Sequence, residues 1–174
     1  MVKSKIFSFV GYKNYPAISQ KLQMYLGNFY IADQEKLMRF QIAVDEAVLN
    51  ATKYGLAGWE KTKVSIKISM TGDFIYFTVS SHTTGFDAFS FQRKLKNMLK
   101  DENYRAMTWN DYTGDTEKGR GVWFILSAVD LLFMDAEGQA VTLSLNTRSD
   151  YDDSLLIHSL VPRFCVVKSG VIYT

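Results

Sequence analysis

The sequence has few of the features that mark cross-linked, secreted or membrane-spanning proteins. It has one cysteine, Cys165, in 174 residues, which excludes an internal disulfide and a cysteine-based metal cluster. That scarcity is typical of a reducing compartment. No apolar run approaches the roughly 20 residues that cross a bilayer, and the N-terminus shows no signal-peptide pattern. These absences predict a soluble cytoplasmic protein with no membrane partner.

The net charge is small, and the sequence has few prolines. The formal net charge is +2, which is too small to indicate nucleic acid or an acidic membrane as the partner. There are two prolines, and the sequence contains no repeat, low-complexity tract or linker. A chain of this length, with 47% hydrophobic and 22% charged residues, predicts a single globular domain over residues 1–174.

Periodic patterns predict an alternation of strands and helices. Period-two alternation or short apolar runs predict strands at residues 4–10, 63–70, 74–80, 141–145 and 154–161. Apolar residues at helical spacing predict a helix from residue 16 to residue 27 or 29, and helices at residues 33–55, 88–103 and 122–129. Residues 104–118 fit neither pattern, and such a long irregular segment predicts a lid or a disordered loop.

The longest helix signal carries two polar residues that its apolar stripe does not explain. Asp33 is suited to cap its start, and Gly55 to end it in the left-handed conformation. Glu46 and Asn50 are four residues apart and therefore share one face of the helix. Asn50 offers Mg²⁺ an oxygen ligand, and Glu46 can take a proton from a water or hydroxyl. For the pair alone, two solvated helix residues without a role are the better interpretation, and the rest of the chain shifts the balance.

Two glycine-containing loops border these elements. Gly85 lies in the polar loop after the strand at 74–80, and Gly119 and Gly121 end the irregular segment. Glycines let the backbone come close to a ligand, and the N-terminus of a following helix attracts anions. Gly119 and Gly121 are therefore a candidate phosphate-binding segment.

The order of these elements and motifs resembles the ATP-binding (Bergerat-type) fold shared by gyrase, heat-shock chaperones, histidine kinases and mismatch-repair proteins. The short length and the run DEAVLNATKYG at residues 45–55 are most similar to the bacterial anti-sigma-factor serine/threonine kinases. The similarity covers about residues 5–147 and leaves a C-terminal strand and tail at 154–174. It implies a two-layer α/β (α+β) sandwich, in which helices cover one face of a mixed, mostly antiparallel sheet.

The first and third sequence boxes of this family have matching residues here. By resemblance, Glu46 is the catalytic base and Asn50 is the magnesium ligand. Gly119 and Gly121 bring backbone amides to the ATP phosphates. Lys118 and Arg120 flank these glycines, and they either pair with the phosphates or belong to a generic basic loop.

The second box departs from the family pattern. Where the family has Asp-x-Gly-x-Gly, this chain has Ser81, Thr83 and Gly85 at the three marked positions. Ser81 therefore replaces the aspartate that holds the adenine amino group. A hydrogen bond to a charged group contributes about 1.5–3 kcal/mol, so its loss weakens binding roughly 10- to 100-fold. The sequence predicts that ATP binding is weakened or retuned.

The resemblance implies a Mg-ATP-dependent protein serine/threonine kinase that phosphorylates a small antagonist protein and binds a sigma factor. A homodimer is compatible with it. The altered second box leaves open a partner-binding module that has kept the fold and lost the chemistry. An ATP-binding domain acting within a larger signalling complex is a third interpretation.

Overall fold

A seven-stranded sheet forms the frame of the protein. The computed structural model describes residues 3–114, 119–150, 152 and 154–174. The strands are β1 Lys3–Val10, β2 Lys63–Thr71, β3 Phe74–Ser81, β4 Leu131–Asp135, β5 Ala140–Asn146, β6 Phe164–Lys168 and β7 Val171–Tyr173. Their spatial order is β1-β2-β3-β5-β4-β6-β7, and only β4 and β6 pair in parallel. The prediction of a mixed, mostly antiparallel sheet is confirmed.

Helices cover one face of this sheet. They are α1 Tyr15–Leu26, α2 Gln34–Lys53, α3 Ala88–Met98, α4 Glu102–Arg105, α5 Trp109–Thr113, α6 Arg120–Ala128 and α7 Ile157–Leu160. In β2, Val64 and Ile66 are fully buried whereas Lys63 and Lys67 are exposed, as the alternation in the sequence predicts. None of the helices in the described ranges is long and apolar enough to cross a membrane.

Helix α2 lies across the centre of the buried face. Its start is capped as predicted, because the Asp33 carboxylate accepts a hydrogen bond from the Lys36 backbone amide at 3.0 Å. Phe40 is fully buried and meets Phe77 of β3 edge to face, with ring centroids 5.4 Å apart. Burial of a phenylalanine side chain contributes about 1.5–3 kcal/mol. These contacts fix one face of α2 on the sheet.

The end of α2 corrects one prediction. Tyr54, not a left-handed Gly55, caps the helix, and Gly55 does not adopt a positive φ. Glycine is required at this position because of crowding. A Cβ on Gly55 would lie 2.0 Å from Oγ1 of the buried Thr62. The loop that returns to β2 therefore lies against the end of α2.

The segment after β3 contains more helix than the sequence predicts. The helix predicted at 88–103 is two helices, α3 and α4, separated by residues 99–101. The predicted lid contains α5, whose cap is Thr108; its hydroxyl oxygen accepts a hydrogen bond from the Asp111 amide at 3.2 Å. Residues 115–118, the remainder of the predicted lid, lie outside the described residues.

The strand predicted at residues 154–161 is wrong. This region contains helix α7 and a 3-10 turn, Val161–Arg163. Ile157, Leu160 and Val161 are buried at helical spacing, and Pro162 has no amide for a strand ladder. The C-terminal strands come later, as β6 and β7, so the tail that begins near Cys165 completes the sheet.

Candidate functional site

Glu46 and Asn50 lie one turn apart on α2 and contact each other. Asn50 Nδ2 donates a hydrogen bond to Glu46 Oε1 at 3.1 Å, and both side chains are half-buried. The bond uses the nitrogen of Asn50 and leaves its Oδ1 as an acceptor. The predicted polar pair is therefore a joined acid and amide, rather than two separate solvated side chains.

The first turn of α6 lies directly against this pair. A Cβ on Gly121 would stand 2.3 Å from Glu46 Oε1 and 3.3 Å from Asn50 Nδ2. Side chains do not approach at the first of these distances, so only glycine fits there without displacing the carboxylate. The structure thus brings the first and third sequence boxes together, although they are about 70 residues apart in the chain.

The start of α6 has the properties of an anion site. Gly119 caps the helix with φ 86° and, because it has no side chain, provides no side-chain cap hydrogen bond. Amides at a helix start have no partner within the helix, and they favour negative charge. Arg120, the first residue of α6, is exposed beside them. Lys118, the other predicted phosphate-pairing residue, lies outside the described residues.

The altered second box is tied to the same helix. Ser81 ends β3 and is 9% exposed, and its hydroxyl donates a hydrogen bond to the Ala51 carbonyl at 2.9 Å. Ala51 directly follows Asn50 on α2. Because the hydroxyl proton is used in this bond, the Ser81 oxygen can act towards a ligand only as an acceptor. An adenine amino group donates hydrogen bonds, so it requires an acceptor of this kind.

The loop after Ser81 is held from both sides. Thr83 forms a β-bridge with Gly55 at the end of α2, and its hydroxyl donates to the Gly138 carbonyl between β4 and β5 at 3.3 Å. Gly85 is exposed with φ 90°, and a Cβ there would meet no atom within 4 Å. The backbone conformation, rather than crowding, therefore favours glycine at position 85.

No sequence motif predicts the tyrosine–carboxylate network beside Glu46. The buried Tyr15 donates a hydrogen bond to Asp45, and burial together with this carboxylate raises the pKa of Tyr15. Burial, followed by the charges of Asp45 and Glu46, also raises the pKa of Tyr12. Tyr12 in turn contacts Trp59, with ring centroids 4.9 Å apart. The sequence signal that could have indicated this network is Asp45, a second acidic residue directly before Glu46.

Two surface cavities of the described residues lie elsewhere. One is bounded by α3 and the short helices α4 and α5, and the other lies beside the β2–β3 hairpin and the end of α1. Neither is lined by a residue of the three boxes. The candidate site is therefore recognised by the contacts between its motifs.

Comparison with protein families agrees with these contacts. Residues 12–145 match the family model of the histidine kinase-like ATPase domain, which is more than half of the chain. The chain belongs to this family. No curated protein matches it.

Membership of the histidine kinase-like ATPase family confirms the resemblance at the level of the fold and indicates an ATP-binding domain. The matched range includes all three boxes and ends within β5, so α7, β6 and β7 lie beyond it. A fold family hosts different activities, and a specific activity has to be argued from the site. The roles of single residues and the type of kinase are therefore proposals.

Proposed function

We propose that this histidine kinase-like ATPase is a Mg-ATP-dependent protein serine/threonine kinase of the anti-sigma-factor type. The contact of Glu46 with both Asn50 and the first turn of α6 carries this proposal. A carboxylate, an amide oxygen and a helix N-terminus lie close to one another there, which supports the roles of proton acceptor, metal ligand and phosphate site. Phosphoryl transfer needs these three elements, because its catalysis is mostly positioning and charge stabilisation.

In the proposed reaction, a substrate hydroxyl oxygen bonds to the γ-phosphorus of ATP while the bond to the bridging oxygen breaks and ADP leaves. The hydroxyl proton passes to Glu46, which Asn50 Nδ2 holds in place. The backbone amides of Gly119 and Gly121, with the Arg120 guanidinium, stabilise the charge on the transferred group. Ser81 accepts a hydrogen bond from the adenine amino group.

The residues present fit magnesium that is bound together with a nucleotide. The described residues contain no group of three or more His, Cys, Asp or Glu side chains that could hold a metal alone. Asn50 Oδ1 is an oxygen ligand whose partner nitrogen is already engaged by Glu46. Mg²⁺ commonly takes one or two protein ligands and completes its shell with phosphates and water. The ion supplies charge neutralisation at the phosphates, and Asn50 would hold it there.

The proposed partners are a small antagonist protein as substrate and a sigma factor as the alternative partner, with transcription regulation in the cytoplasm as the role. Their support is the likeness of residues 45–55 to the anti-sigma-factor kinases. A homodimer is part of the same proposal.

Calorimetric titration with ATP tests the nucleotide site. We expect weak binding that requires magnesium, because Asn50 contributes through the ion and Ser81 offers a single neutral acceptor. At about 100 times the dissociation constant, ATP should raise the free energy of unfolding by about 2.7 kcal/mol. The same titration with EDTA is the control. Absence of heat and of thermal stabilisation at millimolar Mg-ATP would refute the proposal.

The alternative function is a partner-binding module that has lost nucleotide chemistry. The observation that favours it is the closed second box, where Ser81 is bonded to Ala51 and Thr83 to Gly138. In this alternative the two hydroxyl groups stabilise the loop and do not contact a nucleotide base. The choice between the two functions therefore depends on whether adenine is recognised at Ser81.

The variant Ser81→Asp decides between them. Its carboxylate would face the Ala51 carbonyl that Ser81 now donates to, so we expect a lower melting temperature. If adenine is read here, ATP affinity should nevertheless rise about 10-fold through a charge-assisted hydrogen bond, and GTP affinity should not. Ser80→Asp is the matched control, since Ser80 points to the opposite face of β3. If neither the wild type nor a folded Ser81→Asp variant binds ATP, the binding module is supported. Measurable ATP affinity that Ser81→Asp leaves unchanged would mean that adenine is not read at Ser81.

A further inference from the structure

Positive charge is concentrated in one short part of the chain. Residues 88–106 contain five of the 20 basic residues but only two of the 18 acidic ones. The remainder of the chain therefore carries one more acid than base. This segment forms α3 and α4, and it begins three residues after Gly85 of the second box. The net charge of the whole protein thus conceals a local basic surface.

This surface lines a groove of about 480 Å³ between α3 and the short helices of the predicted lid. Arg93, Lys94 and Asn97 of α3 form one wall, at spacings that place them on one exposed helix face. Tyr104 and Tyr112 form part of the other wall. Two cations, an amide and two phenol hydroxyls give the groove several hydrogen-bond donors for an anionic ligand.

The charges in the groove are not neutralised by its own acid. Asp101 also lines the groove, but its carboxylate caps α4 by accepting a hydrogen bond from the Asn103 amide at 2.9 Å. In the part of the chain that the structure describes, neither Arg93 nor Lys94 forms a salt bridge. Both side chains are exposed. Arg93 also interacts electrostatically with the Asp87 carboxylate at the start of α3, but both cations remain exposed to a partner.

The groove is connected to the proposed nucleotide site through aromatic rings. Tyr112 meets Tyr104 edge to face at 5.8 Å and Trp123 at 5.9 Å between ring centroids. Trp123 is buried in α6, two residues after Gly121. A ligand that contacts Tyr112 would therefore touch a ring that packs against the helix that begins at the site of Glu46.

We propose that this groove, lined by Arg93, Lys94, Asn97, Tyr104 and Tyr112, is the docking site for an acidic segment of a partner protein. Carboxylates complement its two exposed cations, and the phenols and the amide can donate to carboxylate or backbone oxygens. An extended nucleic-acid backbone fits less well, because it requires basic charge along a longer surface than one groove of a protein with net charge +2 provides.

Fluorescence anisotropy with a labelled glutamate-rich peptide tests this proposal, in the absence of nucleotide. We expect the peptide to bind the wild type and its glutamine counterpart not to bind. The double variant Arg93→Glu/Lys94→Glu should lose about tenfold or more in affinity, because two attractive contacts become repulsive. The milder double variant Arg93→Gln/Lys94→Gln should lose less peptide affinity. It replaces the charge-reversal variant in the test if that variant does not fold.

Lys63→Glu/Lys67→Glu is the matched control, since these lysines are exposed on the uncovered face of β2 and the variant makes the same change in net charge. The control should bind the peptide like the wild type. An equal loss in the control, or no binding to the wild type, overturns the proposal. Tighter binding of duplex DNA that the groove variants abolish also overturns it. None of these outcomes depends on ATP binding, so the groove and the kinase proposal fail separately.

Discussion

Glu46→Gln is expected to lower ADP formation from Mg-ATP by about 10²- to 10⁴-fold, while ATP affinity changes by less than about twofold. The glutamine keeps an oxygen that can accept the hydrogen bond from Asn50 Nδ2, so the geometry of the pair is retained. Only the proton acceptor is removed. ADP formation is the appropriate measurement, because it counts transfer to water as well as transfer to a protein hydroxyl.

Glu35→Gln is the control for this variant. Glu35 lies on the same helix, is exposed and pairs with Arg39 at 3.0 Å, so its replacement makes the same chemical change outside the site. It should leave ADP formation unchanged. If the Glu46 and Glu35 variants behave alike, Glu46 is not the base.

Asn50→Ala should show the complementary behaviour. Loss of the oxygen ligand should weaken ATP binding about tenfold or more in magnesium, whereas in EDTA neither the variant nor the wild type should bind ATP. Titrations under both conditions measure this difference. An Asn50→Ala variant that binds Mg-ATP like the wild type would contradict the assignment of Asn50 as the magnesium ligand.

The parts of the fold that follow from the sequence are those fixed by local patterns. Helix α2 and the β2–β3 hairpin each bury one face along a long regular element, so their periodicity is unambiguous. The Asp33 cap is a contact between neighbours in the chain and is equally predictable. Strand β4 has five residues and β7 three, which is too short for a period to emerge.

Predictions that depend on distant contacts were less successful. Gly55 has the position of a helix terminator, but the side chain of Thr62 across the loop determines the need for glycine. Residues 154–161 have apolar character that suits a strand or a helix, and burial under the neighbouring elements selects the helix α7. Tertiary context overrides local propensity in both cases.

In the candidate site, too, local contacts follow from the sequence and contacts between distant elements do not. The spacing of Glu46 and Asn50 predicts their shared face, because α-helical geometry alone decides it. The bond from Ser81 to Ala51 joins β3 to α2, and the bond from Tyr15 to Asp45 joins α1 to α2. Neither bond leaves a periodic signal. Packing between elements creates both of them, so they become visible only in the folded structure.

Gly121→Ala is expected to lower ADP formation by about 10- to 100-fold with little change in melting temperature. The new Cβ would stand 2.3 Å from Glu46 Oε1, so the carboxylate has to move, and displacements of about 1 Å can have effects of this size on rate. Stability should be retained because the displaced atom is the end of a flexible side chain. In addition, alanine favours the helix by about 0.5–1 kcal/mol over glycine.

The matched control is Gly27→Ala at the end of α1, where φ is −60° and a new Cβ would have its nearest neighbour at 3.5 Å. It makes the same chemical change at a helix end without entering the site, so the rate of ADP formation should stay at the wild-type level. Melting curves and ADP assays on both variants separate the two effects. If Gly121→Ala unfolds the protein, the contact supports the fold; if it folds and retains full activity, Glu46 does not act from the observed position. A folded, inactive Gly121→Ala beside an active Gly27→Ala would show that the approach of α6 to α2 sets the position of the Glu46 carboxylate.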